Sequence, residues 1–170
     1  MLSLEILDVR RDSTIGDYGI SALTNLVHLN ATMNRRVTNL NHMTKLEVLY
    51  VDGYKSGIDD RGITKLNLKK LNADCNPKIT NVNHMTRLEI LNANNTCGIG
   101  NLGIAKLNLK TLYASSNGKI TNVNHMPNLK FLDASAYPCG IGNDGISDLC
   151  LDKLIFKGNS NIDKNKLRPY

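Results

Sequence analysis

The chain has 170 residues, 41% of them hydrophobic, with no composition break, so it can bury one sizeable core and is expected to form a single domain over 1–170. No apolar run approaches the roughly 18 residues of a membrane helix and no basic-then-apolar leader follows Met1, which supports neither a helical span nor a signal peptide and leads to the expectation of a cytoplasmic protein with no membrane partner. Twenty-one Lys and Arg against 15 Asp and Glu leave a net charge of +6, enough to keep a polyanionic partner in consideration.

The first predicted element opens at Leu4, and counterparts open at Leu26, Leu46, Leu68, Leu88, Leu109, Leu129 and Leu151, in steps of 22, 20, 22, 20, 21, 20 and 22 residues. Taken in pairs, the steps define a unit of about 42 residues with two unequal halves, the signature of a stacked-repeat architecture. The fullest skeleton reads LxxLxAxxNxxI, as in Leu68, Leu71, Ala73, Asn76 and Ile79. It recurs in Leu109, Leu112, Ala114, Asn117 and Ile120, and with Val37 closing it in Leu26, Leu29, Ala31 and Asn34. Its fourth and sixth positions are apolar while the third, fifth and seventh are mostly polar, which predicts a short strand with one buried face in each half.

The halves differ in their return to the next strand. In the odd halves Asp17, Asp60, Asn101 and Asn143 stand where a helix N-cap accepts a backbone N–H, and Ile20, Ile63, Ile104 and Ile146 pair with Leu23, Leu66, Leu107 and Leu149 three residues on, which predicts a short helix. The even halves have too few residues between Ile79 and Leu88 for a full helix plus turns, so an extended or 3₁₀ return is expected, with Val82, Met85 and Leu88 inward. Met1 to Ser3 supply no evident cap, so self-association through an uncapped N-terminal end is expected, and a tail over 163–170 leaves the period.

These registered copies resemble the leucine-rich repeat superfamily over nearly all of Leu4 to Ile162. The odd halves, with IGDYGISAL from Ile15, IDDRGITKL from Ile58, IGNLGIAKL from Ile99 and IGNDGISDL from Ile141, resemble the cysteine-containing class of F-box partners. The even halves, with VTNLNHMTKL from Val37 and ITNVNHMTRL from Ile79, resemble the short repeats of internalins. Their regular alternation is similar to proteins encoded by large DNA viruses of amoebae, which would put the chain in a host cytoplasm. The resemblance implies a curved α/β solenoid of eight short parallel strands, short helices and extended or 3₁₀ returns alternating on its convex side, and a partner bound on the concave strand face. It also implies a structural asparagine ladder at Asn34, Asn76, Asn117 and Asn159, and, from the odd halves, a rival role as the substrate-receptor part of a ubiquitin ligase.

Three patterns imitate catalytic or metal motifs. GxGxxG occurs as Gly98, Gly100, Gly103 and as Gly140, Gly142, Gly145, in the strand-to-helix context of a dinucleotide fingerprint, yet Ile99 and Ile141 inside it carry the repeat register and the motif recurs at one repeat position. Tight turns are the expected use of these glycines, and no cofactor is expected. His42, His84 and His125 recur in an NHM tripeptide, equivalent positions lie roughly 10 Å apart on the ladder, and zinc holds nitrogen at about 2 Å, so a hydrogen bond to the backbone of the return is expected and no metal. Cys97 and Cys139 are likewise too far apart for a disulfide, and with Cys75 and Cys150 at other positions four free thiols are expected. No nucleophile or acid–base set survives placement on the repeat, so the chain is not expected to be an enzyme.

What remains is the strand face that does not serve the core. Tyr50, Tyr113 and Phe131 project from it on this reading, with Asp52, Asp74, Asp133, Asn92 and Asn94 around them, and exposed aromatics among short polar side chains suit a protein partner of unknown identity. The alternative site is a basic rim of Arg36, Lys78 and Lys119 with Arg35 beside it, suited to nucleic acid or another polyanion.

Overall fold

The computed structural model describes residues 3–11 and 14–167. The fourth-position leucine of each half lies at the centre of a three-residue strand: β1 Ile6–Asp8, β2 His28–Asn30, β3 Val48–Tyr50, β4 Lys70–Asn72, β5 Ile90–Asn92, β6 Thr111–Tyr113, β7 Phe131–Asp133 and β8 Lys153–Ile155. The strands form one eight-stranded sheet in chain order. Every pair is parallel and in the same register, so Leu29, Leu49, Leu71, Leu91, Leu112 and Leu132 form one buried column. Parallel neighbours need a crossover; here each half's return supplies it, and the chain winds as a β-solenoid with one strand per turn.

Backbone pairing outlasts the strands. The sixth-position amides continue the ladder, as Ala73 N–H to the Asn92 carbonyl at 2.9 Å. The eighth position of every half, at Arg11, Met33, Gly53, Cys75, Asn95, Ser116, Ala136 and Gly158, then has φ between 55 and 94°. At Met33 this is the φ > 0 that a turn closed by Asn34 N–H on the Ala31 carbonyl, at 3.0 Å, takes at its third residue, and it swings the chain off the sheet. Six of these eight residues carry a side chain and bear the strain of the left-handed region.

The even-half returns have the expected form. Met43 N–H reaches the Leu40 carbonyl at 2.9 Å and Leu46 N–H the Met43 carbonyl at 3.0 Å, linked i→i+3 turns in which side chains three apart share a face. That face is Val37, Leu40, Met43, Leu46 in one half and Ile79, Val82, Met85, Leu88 in the next, all buried.

The odd-half returns meet the expectation of short helices in part. They contain one α-turn at Asp17–Ile20 and another at Asn101–Ile104, and 3₁₀ turns at Arg61–Ile63 and Asn143–Ile146. The fold is therefore a sheet-dominated solenoid with few helices. Asp17, Asn101 and Asn143 are first residues of their turns, Asp60 alone stands at the cap position, and none of these turns has a side-chain cap bond there. The acceptors serve the next half instead: Asp60 Oδ1 takes the Thr80 N–H at 2.8 Å, Asn101 Oδ1 that of Thr121 at 2.9 Å and Asn143 Oδ1 that of Asp163 at 2.8 Å. The facing coil offers such an acceptor two N–H groups in sequence, as Thr38 and Asn39 do to Asp17.

The period also runs further than expected at the C-terminal end, since Asp163 makes the bond its repeat equivalents make, a 3₁₀ turn follows at Lys164–Lys166, and Leu167 packs on the core. Residues 168–170 of the expected tail and Met1 and Leu2 lie outside the described residues. At the first half Leu4 and Ile15 are 38% exposed and Ile6 is 66% exposed. Among the described residues no helix is long and apolar enough to cross a membrane.

Candidate functional site

Most of the repeated polar residues are used by the fold. Asn76, fully buried, donates through its amide nitrogen to the carbonyls of Val51 at 2.9 Å and Ile58 at 3.2 Å and accepts from Lys78 N–H at 3.0 Å. Asn34, Asn117 and Asn159 repeat the arrangement, each satisfying backbone groups of the odd half before it.

In NHM each residue faces a different way. Nε2 of His42, His84 and His125 lies 3.2, 3.0 and 3.1 Å from the carbonyl oxygens of Ile20, Ile63 and Ile104 in the preceding odd half, the backbone bond expected of these histidines. The asparagine beside each reaches forward, Asn41 to the Arg61 carbonyl at 2.8 Å and Asn83 to that of Leu102 at 2.7 Å, while the methionine enters the core.

The GxGxxG glycines permit close approach, and none of them has a positive φ. A Cβ on Gly98 would lie 2.4 Å from the carbonyl oxygens of Pro77 and Ile79, and one on Gly103 would lie 2.0 Å from that of Thr80. They are glycines because neighbouring coils touch there.

All four cysteines are free, with Cys97 and Cys139 buried, Cys75 partly buried and Cys150 exposed. Burial pushes the Cys97 thiol up to about 11, against a smaller opposing pull from neighbouring backbone N–H groups and Lys119.

The basic rim is bound to the same scaffold. Lys78 Nζ donates to the Ser56 carbonyl at 2.7 Å and Lys119 Nζ to that of Cys97 at 3.1 Å. At the equivalent place Asn161 donates to the Cys139 carbonyl at 2.7 Å, so a neutral donor makes the same bond as a charged one. Arg36 is exposed, its carbonyl accepting Asp17 N–H at 3.2 Å, and Arg35 is exposed beside it. A second charged row, which the sequence reading missed, runs along the strand starts: Glu47 pairs with Lys69 and Arg87, Glu89 with Lys110 and Asp152 with Lys130. It was legible as the second position of successive halves. The Lys69 ammonium, with Arg87 adding to it, holds the Glu47 carboxyl below its usual range.

The outward strand face gathers the remaining candidates. Tyr113 and Phe131, on adjacent strands, tilt at 47° with centroids 5.1 Å apart, and Tyr50 lies three strands away on β3. All three rings are half-buried, so part of their surface already serves cross-strand packing. Two lysines absent from the expected set complete the patch, Lys70 Nζ lying 5.2 Å from the Tyr50 centroid and Lys153 Nζ 5.6 Å from that of Phe131. Register could have found Lys153, the direct cross-strand partner of Phe131.

The polar candidates hold one another in place. Asp52 Oδ1 accepts from the Thr32 hydroxyl at 2.7 Å and the Asn72 amide at 3.1 Å, and Asp74 Oδ1 from the Asn95 amide at 2.8 Å. Asn92, Asn94 and Asp133 each accept a backbone N–H, from Asn94, Ser115 and Ser135. The face is thus a fixed array of aromatic rings, amides and carboxylates.

No protein-family model matches the chain, and a search of the curated proteins finds no match.

Proposed function

We propose that this chain is a non-enzymatic binding module of the leucine-rich repeat type, which takes a protein partner on the outward strand face. The observation that carries the reading is the contrast between surfaces: the repeated Asn, His, Gly and Lys residues are committed to contacts between coils, whereas Tyr50, Tyr113, Phe131, Asp52, Asp74 and Asp133 are held in an ordered array on a face that no other part of the described chain covers. A prearranged aromatic surface loses little entropy when a partner settles on it. Four free thiols suit a cytoplasmic setting. The net charge of +6 supports a second reading, polyanion binding along Arg35, Arg36, Lys78 and Lys119, which has less support because two of these side chains already bond backbone carbonyls.

The test is capture from nuclease-treated lysate by immobilised protein and by the Tyr50→Ala, Tyr113→Ala double variant. Both rings are partly exposed, so the variant should still unfold in one cooperative transition, lowered only by the lost cross-strand packing, and lose most of the captured protein. Equal capture by both would move the site off this face.

A further inference from the structure

Within a chain of net charge +6, the carboxylates of Asp52, Asp74 and Asp133 have no ion pair among the described residues. The cations nearest in register lie over rings, Lys70 on Tyr50 and Lys153 on Phe131, and those at the strand starts are paired with Glu47, Glu89 and Asp152. Asp52 and Asp74 occupy the same position on consecutive halves, joined by a 2.7 Å bond from Gly53 N–H to the Asp74 carbonyl, so their backbones stand one strand spacing apart, about 5 Å, and their carboxylates are neighbours on one face. Their bonding partners, Thr32, Asn72 and Asn95, are neutral: they aim the carboxylates without cancelling them. Like charges side by side on a sheet repel, and a cation set between them relieves that repulsion.

The Tyr113–Phe131 pair lies on β6 and β7, three strand intervals from the carboxylate pair at the ends of β3 and β4, or roughly 14 Å. An extended peptide covers that distance in about four residues. Between the two features lie Asn92 and Asn94, whose amide NH₂ groups make no hydrogen bond to a described residue and are free to meet backbone carbonyls of a bound chain.

We infer that the outward face binds an extended polypeptide segment running along the sheet, with an Arg or Lys side chain between Asp52 and Asp74 and an aromatic or large aliphatic side chain about four residues away on the Tyr113–Phe131 pair. This deepens the protein-binding reading above and rests on it. Arginine is favoured over lysine because a guanidinium can donate to two carboxylates at once.

The experiment is selection from a randomised twelve-residue peptide library displayed on phage, followed by titration of the enriched peptides against the whole chain and two variants. Asp52→Asn with Asp74→Asn keeps both Oδ1 acceptors and removes two charges; Tyr50→Ala with Tyr113→Ala removes rings. Enriched peptides should share a basic residue and a large apolar residue three to five positions apart. The Asn variant should bind them at least tenfold more weakly and with a shallower salt dependence, and Asp52→Lys with Asp74→Lys should select an acidic residue at the same place. Acidic or uncharged consensus peptides, no enrichment, or equal binding by the Asn variant would overturn the inference. If the Asn variant binds normally while the Tyr variant fails, the face still binds protein and only the basic-segment assignment falls. If neither loses binding, both fall.

Discussion

Nε2 of His84 lies 3.0 Å from the carbonyl oxygen of Ile63, the last residue of the preceding odd-half turn. A carbonyl only accepts, so Nε2 must carry the hydrogen, and the same holds for His42 on Ile20 and His125 on Ile104. All three neutral imidazoles should therefore show the Nε2–H tautomer in ¹⁵N NMR spectra. His84→Ala should cost about 1 kcal/mol in chemical unfolding, the ordinary worth of such a bond.

Asp17 gives the chain an acid-sensitive joint. Partial burial works to raise its carboxyl, but the hydroxyl and N–H of Thr38 and the N–H of Asn39 outweigh it, with a smaller contribution from His42, and its pKa falls below the ordinary 3.8. A depressed folded pKa means that the unfolded chain binds the proton first, so the contribution is complete above the unfolded value and is lost as pH falls through the folded one. Asp17→Asn keeps an acceptor, as Asn101 does natively toward Thr121. Its melting temperature should fall less steeply than that of the wild type between pH 5 and pH 2, values chosen to span roughly the carboxylate range; parallel curves would refute the assignment.

The left-handed eighth position predicts opposite effects for opposite exchanges. Ala136, at φ 59°, should gain about 0.5–1 kcal/mol on exchange to glycine, the relieved strain exceeding the added freedom of the unfolded chain. Gly53, at φ 94°, should lose about 1–2 kcal/mol on exchange to alanine, and the new Cβ would stand 2.6 Å from Met33 Cγ. Urea titrations of the two variants measure both.

Asn161 shows how to remove the rim's charge without removing its bond. Lys78→Asn with Lys119→Asn should leave stability within about 0.5 kcal/mol, whereas glutamate at both places, having no donor, should cost about 1 kcal/mol each. Mixed-sequence DNA titrated against the Asn variant then separates fold from function. Unchanged affinity agrees with a binding site elsewhere, and a reduced salt slope would favour the rim.

Sequence and structure agree where side chain and geometry are bound one to one. A leucine every 20 to 22 residues placed all eight strands, because only a parallel in-register stack buries such a column. Asn34, Asn76, Asn117 and Asn159 were expected to be structural from the resemblance to an asparagine ladder, and each does donate to backbone carbonyls of the preceding half. The eighth position was hidden: Arg11, Met33, Cys75, Asn95, Ser116 and Ala136 share no chemistry, since ladder bonds on both sides impose the conformation whatever the residue. Only the aligned glycines, Gly53 and Gly158, pointed to it. The turn acceptors were read into the wrong coil because spacing along a chain favours local partners, while Asp60 finds its partner 20 residues away. On the outward face the rings could be placed by alternation, but their lysines could not be placed without the register.

The two kinds of junction between coils are not interchangeable. From odd to even, Asn34 ties itself to Val9 and Ile15 and His42 to Ile20; from even to odd, Asn41 meets Arg61 and Lys65. A gene for this chain can therefore lengthen or shorten in whole pairs, each duplication presenting the same two seams it inherited. Loss of a single even half would press odd against odd, where no buried asparagine stands ready to meet the carbonyls it leaves bare. The heritable module is the pair, and the half is only its visible subdivision.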